Sequence, residues 1–357
     1  MLITGFSTHL SVMRKEDPTW KFALGASPVI EGVILRLTTT DGIVGFGYAS
    51  AVPHMGSIAA QLDAELKHLE PAVTGRDAGD IESIMDSLDR RLRGAPQAKA
   101  AIDCALHDIV ARSIGAPLHR LFGGRFRTSV PILRIMAIKT PDDMAVQAQK
   151  LVDEGYNYLK IKIEGDVSND VERVRAIRTQ VGDSVHLTID ANQSYSAKGA
   201  IAALNKMAAF NIDLAEQPVH ASDLEGLSLV TRSVPITIEA DEAAGSLEEV
   251  YRLVTTRACD AISLKIPKLG GLRNAMTAAR LCEQAGVAYR FGAAVGTRLM
   301  AAQALHLACA LRGVDYACEL AEFARLLDDE FSGLEVENGC LSLPETVGSG
   351  TIWNGSA

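Results

Sequence analysis

Charged residues recur at the carboxyl ends of short apolar segments in the middle of the chain. Six of them share this placement: Lys160, Lys162, Asp190, Glu216, Asp241 and Lys265. From Lys162 onward they are 28, 26, 25 and 24 residues apart. Lysine is uncommon in strands and is rarely buried without a partner, so two lysines on one face of YLKIKI (158–163) indicate a functional site. Three carboxylates brought together form an all-oxygen ligand set suited to Mg2+, which predicts metal-assisted chemistry with lysine as acid or base.

The elements that position these residues follow a regular alternation. Apolar segments of about six residues begin every 24 to 28 residues, at 130–135, 158–163, 186–191, 212–217, 236–241, 261–266, 288–293 and 315–320. Amphipathic, helix-like segments separate them, which is typical of parallel strands buried on both faces. Eight such units predict a (β/α)8 barrel, whose chemistry lies at the carboxyl ends of its strands. A doubly wound open sheet is the alternative, but no GxGxxG motif opens a helix after a strand.

The two ends of the chain differ from this repeat. Residues 33–50 predict a hairpin around an Asp-Gly turn, and residues 56–115 have helical periodicity. We therefore expect an α+β capping domain over 1–125 and the barrel over 126–324. The tail, 325–357, is strand-like and is expected to return to the capping domain.

Composition restricts the class of protein. The chain is 48% apolar with a net charge of −9, which argues against broad binding to nucleic acid or anionic membranes. Six scattered cysteines without a CxxC pair predict reduced thiols in a cytoplasmic protein. The amino terminus lacks the pattern of a signal peptide, and no apolar run approaches twenty residues.

Five motifs occur in order at the barrel spacing: LKIKIEGD, IDANQSYS, LAEQPV, EADEAA and SLKIPKLGG. Together they resemble the enolase superfamily, and in particular its muconate lactonizing enzyme subgroup within the mandelate racemase/muconate lactonizing enzyme family. The resemblance covers nearly the whole chain. It implies a modified, enolase-like barrel with a capping domain, one Mg2+ (Mn2+ is an alternative), a small carboxylate substrate, and a homo-oligomer, either dimer or octamer.

The resemblance also implies roles for the six charged residues. Asp190, Glu216 and Asp241 resemble the three metal ligands. Lys162 and Lys265 resemble acid/base catalysts on opposite faces of the substrate. Lys160 resembles an auxiliary lysine that lowers the pKa of its neighbour and contacts the substrate carboxylate.

The expected chemistry is removal of a proton next to a carboxylate, which yields an enediolate. A divalent metal stabilises the developing charge, and the base lysine must be neutral near pH 7. Two lysines acting in turn give epimerisation or racemisation of an amino acid or dipeptide; one lysine gives cycloisomerisation or a lyase reaction such as dehydration. The seventh strand has no histidine, which disfavours the hydroxy-acid racemase and sugar-acid dehydratase subgroups. A barrel without catalysis is disfavoured because both lysines are present.

Substrate choice depends on the last strands and the capping loops. The chain has Gly296 where muconate cycloisomerases usually carry an acid, and Glu319 lies in a segment similar to their eighth strand. That segment lacks the Asp-x-Asp with which dipeptide epimerases hold an amino group. A cycloisomerase-like isomerase is the leading prediction. Lys268 is expected to be a solvated rim charge and Glu239 is assigned no role. Candidate substrate-binding or supporting residues are Asn192, Glu242, Glu319, Arg298, Trp20 and His54.

Overall fold

The computed structural model describes residues 1–26, 28–292 and 294–355. The predicted capping domain (1–125), the predicted strand 288–293 and the predicted tail 325–357 fall partly outside the described residues, since they include positions 27, 293, 356 and 357. Within the described ranges, an antiparallel sheet and three helices precede a curved sheet of parallel strands.

The amino-terminal region begins with strands. They are β1 (Ile3–Lys15), β2 (Lys21–Phe22), β3 (Gly25–Ala26), β4 (Val29–Thr39) and β5 (Val44–Ser50). β4 pairs antiparallel with β1 on one side and β5 on the other, while β2 and β3 form a separate small hairpin. The turn between β4 and β5 contains Gly42 with a φ of 75°, which glycine adopts without strain. The hairpin predicted over 33–50 is therefore confirmed.

Three helices cover this sheet, as the periodicity over 56–115 predicts. They are α1 (Ala59–Leu69), α2 (Ile81–Arg91) and α3 (Pro96–Ser113). α3 crosses β5 so closely that a Cβ at Gly47 would lie 1.9 Å from the carbonyl oxygen of Ala101. The glycine therefore permits the helix to pack directly on the strand, above a core that includes Leu62 and Leu106.

Seven parallel strands form the curved sheet, and their spatial order follows the sequence. After a short β6 (Ser129–Pro131), they are β7 (Leu133–Met136), β8 (Tyr158–Lys162), β9 (His186–Asp190), β10 (Ile212–Glu216), β11 (Thr237–Ala240), β12 (Ala261–Leu264) and β13 (Ala288–Phe291). The helices are α4 (Pro141–Asp153), α5 (Val167–Val181), α6 (Ala197–Met207), α7 (Leu224–Ser233), α8 (Leu247–Thr256), α9 (Ile266–Leu269), α10 (Leu272–Ala285) and α11 (Arg298–Ala310).

Backbone contacts from residues 314–319 link the two edges of this sheet. Val314 forms a parallel bridge with Tyr289 on β13, and Cys318 forms one with Ile132, next to β7. The N–H of Leu133 donates to the carbonyl of Cys318 at 3.0 Å. The eighth predicted strand thus lies between its expected neighbours as irregular backbone, and the predicted (β/α)8 class is confirmed. The first strand begins later than predicted because β6 pairs with the tail instead.

Dedicated polar residues begin the outer helices. Thr140, Asp166, Ser196, Asp223, Ser246 and Thr297 each precede a helix and accept a hydrogen bond from a backbone N–H in its first turn. None of the three predicted metal ligands is among these caps. Helix capping therefore does not account for acids at the ends of the strands.

The tail is made of short strands that contact both regions. They are β14 (Leu326–Leu327), β15 (Phe331–Ser332), β16 (Val336–Glu337), β17 (Cys340–Ser342) and β18 (Ile352–Trp353). β14 pairs with β1, whereas β17 pairs with β6. Phe331 packs in a small core with Tyr48 and Leu299. The exact domain boundaries stay a prediction. No helix in the described part of the chain has the length and apolar content needed to cross a bilayer.

Candidate active site

Three carboxylates lie side by side where the parallel strands end. Asp190 is the last residue of β9, Glu216 is the last of β10, and Asp241 directly follows β11. Asp190 and Glu216 are direct partners in the sheet register. Each of the three is at most 3% exposed. A buried carboxylate needs a cation or hydrogen-bond donors, so this cluster requires positive charge beside it.

Lysines supply that charge from both sides of the cluster. Lys162 Nζ lies 2.5 Å from Asp190 Oδ2, and Lys265 Nζ lies 2.6 Å from Asp241 Oδ2. The two lysines stand at the ends of β8 and β12, so the three strands that carry the acids separate them.

Lys160 is buried among three acids. Its Nζ is 3.0 Å from Asp190, 2.7 Å from Glu216 and 2.6 Å from Glu319, and the residue is 1% exposed. Its contact with a substrate carboxylate stays a prediction.

The prediction for Lys268 is wrong. It is 3% exposed, and its Nζ donates to the carbonyl oxygen and the Oδ1 of Asp241 at 2.5 and 2.6 Å. The short helix α9 follows β12 directly and turns this side chain back into the site. A spacing of three residues after Lys265 was the only signal in the sequence.

A buried arginine forms ion pairs with Glu216 and with a second glutamate, and the sequence predictions did not include it. Arg290 on β13 is fully buried; its Nη2 lies 2.5 Å from Glu216 and 2.6 Å from Glu239. Glu239 on β11 also accepts a bond from Arg290 Nε at 2.8 Å. The sequence did contain a signal: a charged residue inside the apolar segment AYRF (288–291). Because a buried arginine is nearly always paired, it indicated an acid nearby.

The lysines and burial oppose each other in setting the pKa of each acid. Burial alone would raise the pKa of Asp190 and Asp241, but the adjacent lysines outweigh it and hold both below the ordinary range. The pKa of Glu216 is raised, first by burial and then by the charge of Asp190. Burial would lower the pKa of Lys265, but Asp241 overcomes it and raises the pKa above its usual value. The site therefore holds closely balanced opposite charges.

The donor set fits a hard divalent cation. The three acids offer only oxygen atoms, which is the chemistry that Mg2+ prefers. Glu216 Oε1 is buried and has no hydrogen-bond partner in the described residues, so one oxygen is free to bind a ligand. In the described part of the chain, no three His, Cys, Asp or Glu side chains are arranged to hold a metal ion. The three acids contact lysine ammonium groups instead.

The backbone beside the acids adopts uncommon conformations. Gln217 and Asn192 have φ values of 37° and 40°. Gln217 Oε1 accepts from the backbone N–H groups of Asp241 and Ala243 at 2.8 and 3.1 Å. Asn192 Oδ1 accepts from Lys162 at 2.8 Å. Positive φ at non-glycine residues often accompanies functional sites, and here it directs side chains that hold the acid and the lysine in place.

A cavity of about 250 Å3 opens above the acids and is lined by both Lys162 and Lys265. Of the candidate substrate-binding residues, the structure places five on its wall: Trp20, His54, Asn192, Glu242 and Glu319. Arg298 is not among them. Its guanidinium binds Asp329 at 3.1 Å and the carbonyl of Leu334, which directs it toward the tail.

Three aromatic rings, Trp20, Phe22 and His54, form what we call the aromatic cover of this cavity. The Phe22 ring centroid is 5.5 Å from that of Trp20 and 5.1 Å from that of His54. Lys162 Nζ lies 5.7 Å from the centre of the Phe22 ring. Burial, assisted by the charges of Lys265 and Lys162, lowers the pKa of His54 and favours its neutral form. The cover thus adds apolar surface next to the Lys162 amine.

Comparisons with known proteins agree with this geometry. The family model described as the mandelate racemase/muconate lactonizing enzyme N-terminal domain matches residues 8–123, and the one described as enolase C-terminal domain-like matches 143–357.

Curated relatives cover most of the chain. An L-Ala-D/L-Glu epimerase of Clostridium acetobutylicum is 34% identical over 96% of both chains. An N-succinyl-L-Arg/Lys racemase of Bacillus cereus is 31% identical over 86% of this chain and 84% of its own. A chloromuconate cycloisomerase of Cupriavidus necator is 31% identical over 90% of this chain and 88% of its own.

Among solved structures, a dipeptide epimerase of Enterococcus faecalis, complexed with Mg and L-Leu-L-Tyr, superposes with a TM-score of 0.95. It is 32% identical and covers 98% of this chain and 99% of its own. These relatives are isomerases, which confirms the predicted class of enzyme. The chain therefore belongs to the mandelate racemase/muconate lactonizing enzyme family of the enolase superfamily.

Proposed function

We propose that this isomerase epimerises or racemises a small carboxylic acid, with Lys162 and Lys265 moving the proton on the carbon next to the carboxylate. The observation that carries this proposal is that both lysines line one cavity and flank the three acids. A carbon held between two such groups can lose its proton to one lysine and gain a proton from the other on the opposite face. That exchange inverts its configuration.

The proton transfers balance without an external reagent. The C–H bond of the substrate breaks, the neutral Nζ of one lysine takes the proton, and the electron pair moves into the carboxylate to give an enediolate. The ammonium group of the other lysine then donates its proton to the opposite face, and the carboxylate forms again. Asp241 stabilises the ammonium form of Lys265, which is the form that a proton donor needs.

We propose that Asp190, Glu216 and Asp241 hold one Mg2+, or Mn2+ as an alternative. When bound, the cation would supply positive charge beside the substrate carboxylate, where negative charge develops as the proton leaves. Asn192, through its bond to Lys162, holds that lysine toward the cavity. The aromatic cover limits the access of water to the amine.

Cycloisomerisation is the second candidate, because it needs only one of the two lysines. The observation that favours it concerns the residues at the eighth strand position. Glu319 there is bound to Lys160, and residue 321 is an alanine. A pair of acids that could hold a free amino group is thus absent at 319 and 321. A lyase reaction also needs only one lysine, but no feature of the described residues favours it.

The deciding experiment follows exchange of the α-proton in D2O with Mg2+ present, by NMR. The panel contains both enantiomers at the reacting carbon of Ala-Glu and of an N-succinyl amino acid, together with cis,cis-muconate. Each enantiomer presents its proton to one lysine, so Lys162→Ala and Lys265→Ala should each stop exchange of a different enantiomer. The expected loss is about 100-fold or more, the usual contribution of a general base.

Lys206→Ala on α6 is the matched control, because that lysine is exposed and distant in the fold. Asp190→Asn should abolish exchange and weaken Mg2+ binding in calorimetry. Loss of lactone formation from muconate in one lysine variant only, with no exchange of either amino-acid substrate, would establish the cycloisomerase alternative. Undiminished exchange of both enantiomers in both lysine variants would refute two-base chemistry.

A further inference from the structure

Lys15, on the wall of the catalytic cavity, is a cation without a directly bound carboxylate among the described residues. Lys15, the last residue of β1, lines the cavity beside the aromatic cover. Its Nζ lies 3.4 Å from the centroid of the Trp20 ring. Among the described residues it forms no ion pair within 4.0 Å and no side-chain hydrogen bond. The other lysines on this wall, Lys162 and Lys265, each bind a carboxylate.

The acids nearest to Lys15 are already engaged elsewhere. Glu322 accepts a bond from Arg134 at 2.5 Å, and both of these residues are buried. Asp17 accepts from Lys139 at 3.1 Å and from the side chain of Thr19. Within the described ranges, neither of these two acids forms a direct ion pair with Lys15, and their charges act on it only from a longer distance. Burial lowers the pKa of its ammonium to about 8, a value at which most of the side chain is still charged at pH 7.

Lys15 also marks where the catalytic cavity meets a second one. The neighbouring cavity, of about 610 Å3, shares Lys15, Trp20, Ile135 and Val295 with the first. Its wall continues with charged side chains of both signs, Lys139, Arg325, Glu16 and Glu154 among them. A substrate that starts at the acids and extends past the aromatic cover would therefore reach Lys15 before it reaches open solvent.

The wall next to the reacting end offers little to a free ammonium group. Asp241 is bound by two lysines and Glu319 by Lys160. Glu242 accepts from Asn192 through Oε1, and its Oε2 has no partner in the described residues. At the far end, by contrast, Lys15 is a cation without a direct ion pair in that part of the chain, although acids such as Glu322 and Asp17 also line the neighbouring cavity. The two ends of the cavity thus differ in the charge they would accept.

We infer that Lys15 is a specificity-determining residue that binds a second anionic group of the substrate, separated by an apolar spacer from the reacting carboxylate. This inference rests on the proposed function for the position of the reacting carboxylate. The substrate class it names is a dicarboxylate, such as an amino acid whose nitrogen carries an acyl group ending in a carboxylate. Trp20 and Phe22 contact the spacer, and the Trp20 ring keeps the Lys15 ammonium at the cavity wall.

Three N-acyl derivatives of one amino acid test this inference, since they differ only in the terminal group. The N-succinyl compound ends in a carboxylate, the N-succinamoyl compound in a neutral amide, and the N-β-alanyl compound in an ammonium group. Two readouts are taken with Mg2+ present: the kcat/KM of α-proton exchange, and the equilibrium Kd by calorimetry. The wild-type enzyme should prefer the succinyl compound over the amide by about 10- to 100-fold, the usual value of a hydrogen bond to a charged group.

Variants separate the charge of Lys15 from its packing. Lys15→Met should remove the preference, Lys15→Arg should keep most of it, and Lys15→Glu should shift it toward the ammonium compound. Lys150→Met is the matched control, because Lys150 is exposed, lines the neighbouring cavity and is absent from the wall of the catalytic one. It should change the preference by no more than about twofold.

The two readouts distinguish failure of this inference from failure of the proposed function. Turnover that depends on Lys162 but does not discriminate the three compounds would overturn the role of Lys15 alone. Binding of the succinyl compound that depends on Lys15, without any proton exchange, would overturn the proposed reaction alone. Failure of the wild-type enzyme to bind the succinyl compound more tightly than the amide would overturn the inference in either case.

Discussion

Replacing Arg290 with methionine should destabilise the fold strongly at neutral pH and weakly at acidic pH. Arg290 is the only cation within ion-pair distance of Glu239 among the described residues, whereas Glu216 also has Lys160 at 2.7 Å. The variant therefore leaves one fully buried carboxylate without a partner. Breaking a buried pair in this way typically costs about 3–5 kcal/mol.

The size of the effect follows from protonation. An unpaired carboxylate in a buried site takes up a proton instead of staying charged. Protonating a glutamate whose ordinary pKa is about 4.3 costs about 3.7 kcal/mol at pH 7 but only about 1 kcal/mol at pH 5. The folded variant binds one more proton than the unfolded chain between these pH values. Its stability therefore falls as the pH rises from 5 to 7, and the penalty relative to wild type grows by about 2.7 kcal/mol.

Urea unfolding at pH 5 and pH 7 measures this penalty. Arg175→Met is the matched control, because Arg175 forms an exposed pair with Glu172 on α5, and its loss should leave the free energy of unfolding nearly unchanged at either pH. The double variant Glu239→Gln/Arg290→Met removes the unpaired acid and should lose most of the pH dependence. A penalty for Arg290→Met that equals that of Arg175→Met, or that does not change with pH, would refute the reasoning.

Three further outcomes follow from the structure. Burial lowers the pKa of His306 to about 4, so the contribution of this residue to stability should fall by about 2 kcal/mol between pH 7.5 and 5. The wild type should therefore lose more stability over this range than His306→Gln, and equal losses in urea unfolding would contradict this. Gly47→Ala should lower the free energy of unfolding by about 2–3 kcal/mol, because the added Cβ would lie 1.9 Å from the carbonyl oxygen of Ala101. Gly5→Ala, whose Cβ would lie 3.2 Å from the side chain of Thr38, should cost less than about 1 kcal/mol in the same assay. Glu216→Gln should weaken Mg2+ binding at least about tenfold in calorimetry, since it replaces a charged oxygen ligand; unchanged affinity would remove Glu216 from the proposed metal site.

The sequence by itself determined the barrel and the placement of the acids and lysines at its mouth. A strand–helix repeat of about 26 residues returns the chain to the same end of the sheet each time. Residues at equivalent positions of successive repeats, such as Lys162, Asp190 and Glu216, must therefore lie close together. The hairpin over 33–50 and the helices that follow it depend on local turn chemistry and periodicity, which are also visible in the sequence.

Only the tertiary structure decided which partner each charged side chain takes. Arg290 binds Glu216 from 74 residues away, and Lys268 turns inward to Asp241. Arg298, expected near the substrate, instead binds Asp329. Lys15, far from the barrel motifs in sequence, lies on the cavity wall without an ion pair in the part of the chain that the structure describes. Periodicity gives the end of the sheet at which a residue lies, but the partner of a flexible side chain depends on distances between elements that are remote in sequence.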